Sequence, residues 1–320
     1  MFAMQAHTPL RKSLFRRHRF ELPTIGVAIG VYGGFVSLTW FFTSLPLWAA
    51  APLGALLLAW QGSLQHETIH GHPTPWRRVN ALVGSPPLSL WIPYARYRQL
   101  HLWHHRCGGR YLTDPVQDPE SFYLPPGTLA SQGPVRRLLS RINCTLTGRL
   151  LAGPALSIGG FLANEVRLVA AGDRVLLKVW LGHALGVALV LAWVSGICHI
   201  PVLVYLGFIV YPATSITLLR SFAEHRANGD RNLRTAVVEA NPLLSLIYLN
   251  NNLHLAHHAL PKLPWYELPH AWRRMRSSER SRRTAGAGMI YRGGYVEIAR
   301  RYLVRPVINV EHPAPGGGPG

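Results

Sequence analysis

Sixteen of the 320 residues are histidine, and nine of them fall into a pattern that could do metal chemistry. The first group is His66-Glu-Thr-Ile-His70. The second is His101-Leu-Trp-His104-His105, and the third is His254-Leu-Ala-His257-His258. A ninth, His225, stands alone in Arg-Ser-Phe-Ala-Glu-His-Arg. Residues at i, i+3 and i+4 share one side of a helix, so each group presents two or three imidazoles close enough to share a metal. At this histidine content, chance predicts about 0.04 HxxHH triplets, and two are present. Nine nitrogen donors with no cysteine partner exceed what one zinc takes, and suit two metals with several imidazoles each. Imidazole accepts Zn, Cu, Fe and Ni, so the donors alone do not choose the element.

These groups must be held by helices that are mostly apolar. The chain is 48% hydrophobic with a mean hydropathy of +0.12, an average over very unequal segments. No Asp, Glu, Lys or Arg occurs from Leu22 to Gln65, nor from Val179 to Leu219. A membrane crossing needs about 20 apolar residues, so each run is long enough for two. Breaks at Ser44-Leu45-Pro46 and at Cys198-His199-Ile200-Pro201 predict two helical hairpins, over 23–44, 47–66, 177–197 and 201–222. The stretch Val79–Ala95 is uncharged but holds Pro86, Pro87 and Pro93, which predicts an interfacial or re-entrant element rather than a crossing. The glycine-rich Leu150–Asn164 reads the same way. The expected architecture is an all-α integral membrane protein, four transmembrane helices with a cytoplasmic helical cap that holds a two-metal site.

The net charge of +19 would suit nucleic acid, but its placement argues for a membrane instead. Basic residues lie before the first hairpin, between the hairpins and after the second, whereas the two short turns carry none. The positive-inside rule then puts both termini and the central segment in the cytoplasm, and all the clustered histidines on that side. A crossing at Val79–Ala95 would separate the first two groups. Three divisions are expected: a basic arm over 1–21 (Arg11, Lys12, Arg16, Arg17, Arg19), a catalytic domain over 22–272, and a basic, partly disordered tail over 273–320. Cys107, Cys144 and Cys198 have no metal-binding spacing and read as buried or surface residues. The apolar run behind the arm is far longer than a signal-peptide core. Abundant Arg, Ala, Gly and Pro suggest a GC-rich bacterium, hence its inner membrane.

The HxxxH, HxxHH and HxxHH boxes, in this order around two hairpins, resemble the membrane fatty acid desaturase family over roughly residues 24–270. Leu-Thr-Asp-Pro-Val-Gln-Asp-Pro-Glu-Ser at 112–121 and Asn-Asn-Asn-Leu-His-Leu-Ala-His-His at 250–258 are similar to its bacterial members. The resemblance implies that His66, His70, His101, His104, His105, His254, His257 and His258 bind two irons, with His225 as the isolated ligand after the fourth helix. It also implies dioxygen as co-substrate and a lipid or acyl-carrier substrate. Animal acyl-CoA desaturases carry Asn four residues before that isolated histidine, reaching iron through water; Ser221 stands there in this chain.

Several residues are secondary candidates. His72, two positions past the first box, reads as a neighbour of the ligands. Glu67, Asp114, Asp118 and Glu224 could orient imidazoles through the far ring nitrogen. His183, inside the third helix, reads as a neutral histidine bonded to a neighbouring helix. Trp60, Trp91, Trp103 and Trp265 could line an acyl channel or anchor the chain at the interface. No catalytic residue beyond the ligands stands out, and no P-loop, dinucleotide fingerprint or nucleophile elbow is present. With no flavin, haem or Fe–S motif, electrons must come from a separate carrier, ferredoxin-like or a small haem protein, steered by the basic face. Hydroxylases, acetylenases and carotenoid ketolases on the same scaffold are the near alternatives. A metal transporter is a remote one, because transport sites lie near the bilayer midplane rather than at helix ends.

Overall fold

Residues 20–108 and 110–313 are described in a computed structural model of the chain. The basic residues of the N-terminal arm from Arg11 to Arg19, and the Pro/Gly-rich end after residue 313, lie outside the described residues. The fold is almost wholly helical. Four helices are long and apolar enough to cross a membrane: α1 (Leu22–Trp40), α2 (Leu47–His70), and two more over Arg174–Ile197 and Val202–Ser221.

Their bounds differ from the hydropathy spans for local reasons. The first helix stops at Trp40, and Phe42–Ser44 form a 3-10 turn ahead of Pro46. The third starts at Arg174 because the Asp173 carboxylate caps it, accepting from the Leu176 N–H at 2.9 Å. Helix α2 runs past the predicted residue 66 to His70, and ends where Gly71 takes φ +104°. A left-handed C-cap of that kind is easy for glycine and costly for other residues. Both histidines of the first box therefore lie in the last turns of a membrane-length helix, rather than just beyond it.

Between the long helices, α3 (Arg77–Gly84) and α4 (Tyr94–Cys107) flank a non-helical stretch, so Val79–Ala95 forms no continuous helix. Next come α5 (Pro134–Ile142), α6 (Leu146–Leu151) and the 18-residue α7 (Gly153–Ala170), which contains most of the glycine-rich stretch. The third and fourth long helices are α8 (Arg174–Ile197) and α9 (Val202–Ser221). Short helices α10 (Pro242–Ile247), α11 (His254–Ala259), α12 (Leu268–Met275), α13 (Glu279–Gly286) and α14 (Gly294–Tyr302) complete the chain.

Helix α2 is the axis of the assembly and packs against α1, α3 and α9. Ala50, Ala55 and Leu58 of α2 meet Ile209, Val210 and Ala213 of α9 in one apolar cluster. Gly54 sits where a Cβ would come within 3.0 Å of Ile209, so the small residue sets how closely these helices approach. Helix α8 packs against α7 and α4 and meets α1 near its end, where Trp193 stacks on Trp40 and donates to Thr39 Oγ1 at 2.9 Å; most of its surface is exposed. Residues 273–313, set apart by composition as a tail, are built into the body of the fold. Two-residue strands β1 (Val237–Val238) and β2 (Ile290–Tyr291) pair in parallel, and Tyr295 and Ile298 of α14 share a core cluster with Tyr248 and Phe222.

Candidate metal centre

Three helices and one turn bring the nine histidines together. Gly84 ends α3 so close to α2 and α4 that a Cβ there would lie 2.3 Å from Thr68 Oγ1 and 2.5 Å from Tyr94. Thr68 and Tyr94 hydroxyls bond each other at 3.0 Å, and Gln65 Nε2 donates to the Gly84 carbonyl at 2.8 Å. This junction sets the register of the first box against the second. The third box rides on α11, a single short helix held by its apolar residues: Leu255 and Ala256 are buried in a cluster with Val237 and Leu268. His225 follows α9 in a turn bridged to Thr235.

The nine rings form two sets. His66, His70, His101, His105 and His257 converge in one, and His104, His225, His254 and His258 in the other, with the candidate ligand atoms of each set within 4.8 Å of one another. The split differs from the expectation that each box would share one metal. Pairs at i and i+4 stay together, as His66/His70, His101/His105 and His254/His258 do. The i+3 member goes to the other set, and each adjacent His-His pair sends one ring to each. At 3.6 residues per turn, i+4 lies roughly 40° from i while adjacent residues diverge by about 100°. A doubled histidine on a helix therefore serves two centres.

The ring contacts test whether a cation fits. His225 donates from Nδ1 to the Arg234 carbonyl at 3.2 Å, and His254 Nδ1 donates to Asn251 Oδ1 at 3.1 Å. With the proton of each neutral ring on Nδ1, both Nε2 atoms carry lone pairs, yet they lie 3.0 Å apart. Two facing lone pairs are not a hydrogen bond; they need a shared positive centre. His104, which donates from Nδ1 to Asp118 Oδ1 at 2.8 Å, has Nε2 3.3 Å from His258 Nε2. In the larger set, His101 Nε2 is 3.0 Å from His70 Nε2 and 3.1 Å from His105 Nε2. The donor chemistry fits two metal ions.

Electrostatics agrees with that fit. Burial first, then the neighbouring rings, pushes His105 down to about 2 and His225 down to about 3. Burial likewise holds His254, His257 and His258 well below the ordinary histidine value. These rings stay neutral and keep lone pairs for a metal. His104 is the exception. Burial pulls it down, but Glu120 and Asp118 outweigh burial and raise it to about 9. Glu120 stays well below the usual carboxylate range despite burial, because His104 and His101 face it. The carboxylates demand positive charge at this spot, and a cation at the four-ring set would supply it.

The carboxylate candidates sort clearly. Asp118 holds His104 and also accepts from the Thr113 N–H at 2.9 Å. Glu224 bonds Arg220 at 2.7 Å and lies 3.4 Å from His254 Nδ1; burial, against Arg220, pushes it up to about 7. Glu67 lies 3.7 Å from His66 Nδ1 and accepts from the Trp265 N–H. Asp114 does not reach a histidine: its carboxylate accepts from the Val116 and Gln117 N–H groups and closes a turn. Sequence reasoning passed over Glu120, which accepts from His101 Nδ1 at 2.7 Å, and Asn251 behind His254. Both lie inside the two stretches at 112–121 and 250–258, and that proximity to the boxes was the available signal.

His72 belongs to neither set; its Nδ1 lies 2.6 Å from Glu21 Oε1. Ser221 Oγ bonds within its own helix, to the Leu218 carbonyl at 3.4 Å. His183 bonds the Leu90 carbonyl at 2.8 Å, a contact to a neighbouring segment. Of the four tryptophans, Trp91 alone lines the cavity that reaches the histidines; Trp103 is exposed, with its indole N–H on the Gln117 carbonyl.

That cavity has a volume of about 850 Å³. His66, His225, Glu120 and Glu224 form one part of its wall, and Leu58, Trp91, Leu156, Phe161, Ala213 and Leu218 form apolar parts. No curated protein matches the chain. A profile described as fatty acid desaturase matches residues 10–286, most of the chain. With two histidine sets beside an apolar cavity and that match over most of its length, the chain belongs to the fatty acid desaturase family.

Proposed function

We propose that the chain is a membrane-bound di-iron desaturase that introduces a carbon–carbon double bond into an acyl chain. The observation that carries this reading is the junction of the nine-histidine centre with a largely apolar cavity of about 850 Å³. A bound iron pair supplies dioxygen activation and the oxidising power to break unactivated C–H bonds. The balance is two hydrogens from adjacent methylenes, two electrons from an external donor and two protons, with dioxygen leaving as two waters.

The chain's own groups prepare the site. Asp118, Glu120, Asn251 and the Arg234 carbonyl each accept an Nδ1 proton, which aims Nε2 inward. The apolar wall holds the acyl chain against the centre and keeps bulk water out. Glu224, raised to about 7, is placed to hold or release a proton beside His254 near neutral pH.

The positive-inside pattern supports a cytoplasmic centre, and a composition rich in Arg, Ala, Gly and Pro supports a bacterial inner membrane. A net charge of +19 supports an acidic electron donor, ferredoxin-like or a small haem protein. Lipid analysis tests the reading: a bacterium lacking desaturases, expressing the chain, is expected to gain unsaturated acyl chains that vanish with His104→Ala. Hydroxylated or acetylenic products would move the chemistry to the sister reaction. No new product, from iron-loaded protein supplied with reduced ferredoxin, would overturn an acyl substrate.

A further inference from the structure

Three arginines lie at or beside the cavity: Arg96 and Arg220 are partly buried and line it, Arg149 is fully buried behind the lining residues Phe122 and Asn143, and the three differ in what neutralises them. Arg96 places Nε and Nη2 each 2.9 Å from Glu165 Oε1. Arg220 donates to Glu224 at 2.7 Å. Arg149 has no carboxylate among the described residues. It is 1% exposed, donates from Nε to the Asn143 carbonyl at 3.0 Å, and stacks 3.7 Å over the Phe122 ring. Its Nη1 has no acceptor among the described residues. The one ionisable group acting on it is the Cys144 thiol, which burial pushes up and keeps neutral. Burial draws Arg149 itself down to about 10, so it carries a charge at neutral pH.

An uncompensated buried charge is one of the most destabilising arrangements in a protein, and it persists where a partner outside the chain completes it. The surroundings point to where that partner sits. Phe122 and Asn143, the two residues touching the guanidinium, line the same cavity as His225 and Glu120. Asn143 Oδ1 is also buried without a partner among the described residues. A half-turn of that amide exchanges O for N and presents a second donor. Phe122, whose ring stacks under the guanidinium, is 37% exposed.

We propose that Arg149 anchors the anionic head of the lipid, a carboxylate or a phosphate monoester, whose tail occupies the cavity. A guanidinium suits both oxyanions through paired N–H donors. The inference rests on the lipid reading of the cavity and adds the charge of the substrate's head to it.

The test uses full-length, metal-loaded protein in detergent, without an electron donor, so that only binding is read. Hexadecanoate, hexadecyl phosphate and neutral hexadecanol are the probes. At least one anionic probe is expected to bind about tenfold or more tightly than the alcohol. The better of the two tells a free fatty acid from a phosphorylated lipid. Arg149→Met is expected to abolish the preference without weakening hexadecanol, and Arg149→Lys to keep part of it. Equal binding of all three probes, or a preference that survives in Arg149→Met, overturns the anchor while leaving the lipid cavity standing. No binding of any probe overturns the cavity reading and the anchor together. Melting of the ligand-free proteins is a second readout. Removing an unpaired charge is expected to leave Arg149→Met at least as stable as the parent, and a clear fall would mean a structural role instead.

Discussion

The two histidine sets differ in number and in what stands behind them. The five-ring set has one close carboxylate, Glu120 on His101, with Glu67 more distant from His66. In the four-ring set three of the rings are held from behind, His104 by Asp118, His225 by the Arg234 carbonyl and His254 by Asn251. One set is rich in donors and lightly braced; the other has fewer donors and a rigid frame. Fewer imidazoles leave more of a metal's coordination open, and bracing keeps the remaining ligands from closing over the gap. The four-ring set is therefore the expected site for an additional oxygen ligand.

The largest expected effect tests the donor count. His254→Ala leaves three rings in the smaller set, and metal content is expected to fall from about two ions per chain to about one, with turnover lost. His257→Ala leaves four in the larger set, and metal content is expected to stay near two while activity drops. Elemental analysis of both purified variants decides it; equal losses would end the distinction between the sets.

The bracing is tested next. Asp118→Asn is expected to weaken metal retention about 10–100-fold, measured by chelator competition. Glu120→Gln, on a carboxylate that is 34% exposed, is expected to sit at the low end of that range. A larger loss from Glu120 would reverse the assignment of the rigid frame.

A third, smaller effect is pH-dependent. His105 and His225, at about 2 and about 3 in the folded chain, take up protons near 6.5 when unfolded. Their neutral burial thus favours unfolding as pH drops from about 6.5 toward 3, and stability of the metal-free protein is expected to fall through that window. His104, raised to about 9, has the opposite sign: its contribution is present below about 6.5 and is lost as pH rises toward 9. Because the depressed rings are more numerous, melting temperatures of metal-free protein are expected to fall between about pH 6.5 and 5, and at least as steeply once metal is bound, because the metal keeps every ring, His104 included, unprotonated in the folded state. No acid-side fall in the metal-free protein would show that the rings are not buried neutral.

The smallest effect is a control. Asp114→Ala removes a turn cap and is expected to cost about 1 kcal/mol of stability, with metal content unchanged. A loss of metal would bring Asp114 back to the centre.

Spacing and hydropathy were enough to find the four membrane-length helices and to single out all nine converging histidines, because period and apolar length are local properties of the chain. A polar partner for His183 followed from the same reasoning, since an ionisable ring in an apolar helix needs one, but the partner is the Leu90 carbonyl in the non-helical stretch between α3 and α4 rather than a neighbouring helix. Helix geometry separates the members of each box, but which rings of the other boxes each one meets was decided only by tertiary structure. His104 and His105 are neighbours in sequence but face different centres, and only the approach of α2, α4 and α11 determines which ring each meets. The same holds for Asp114 and Asp118, two similar aspartates four residues apart: the fold of their loop turns one toward its own backbone and the other toward His104. Glu120, Asn251 and the unpaired Arg149 carry no local pattern at all, because a partner, or the want of one, exists only when distant segments meet. Residues 273–313 make the same point for the fold. Their basic composition reads as a solvated tail, yet Tyr291, Tyr295 and Ile298 find a core only where β1 and Tyr248 already wait for them.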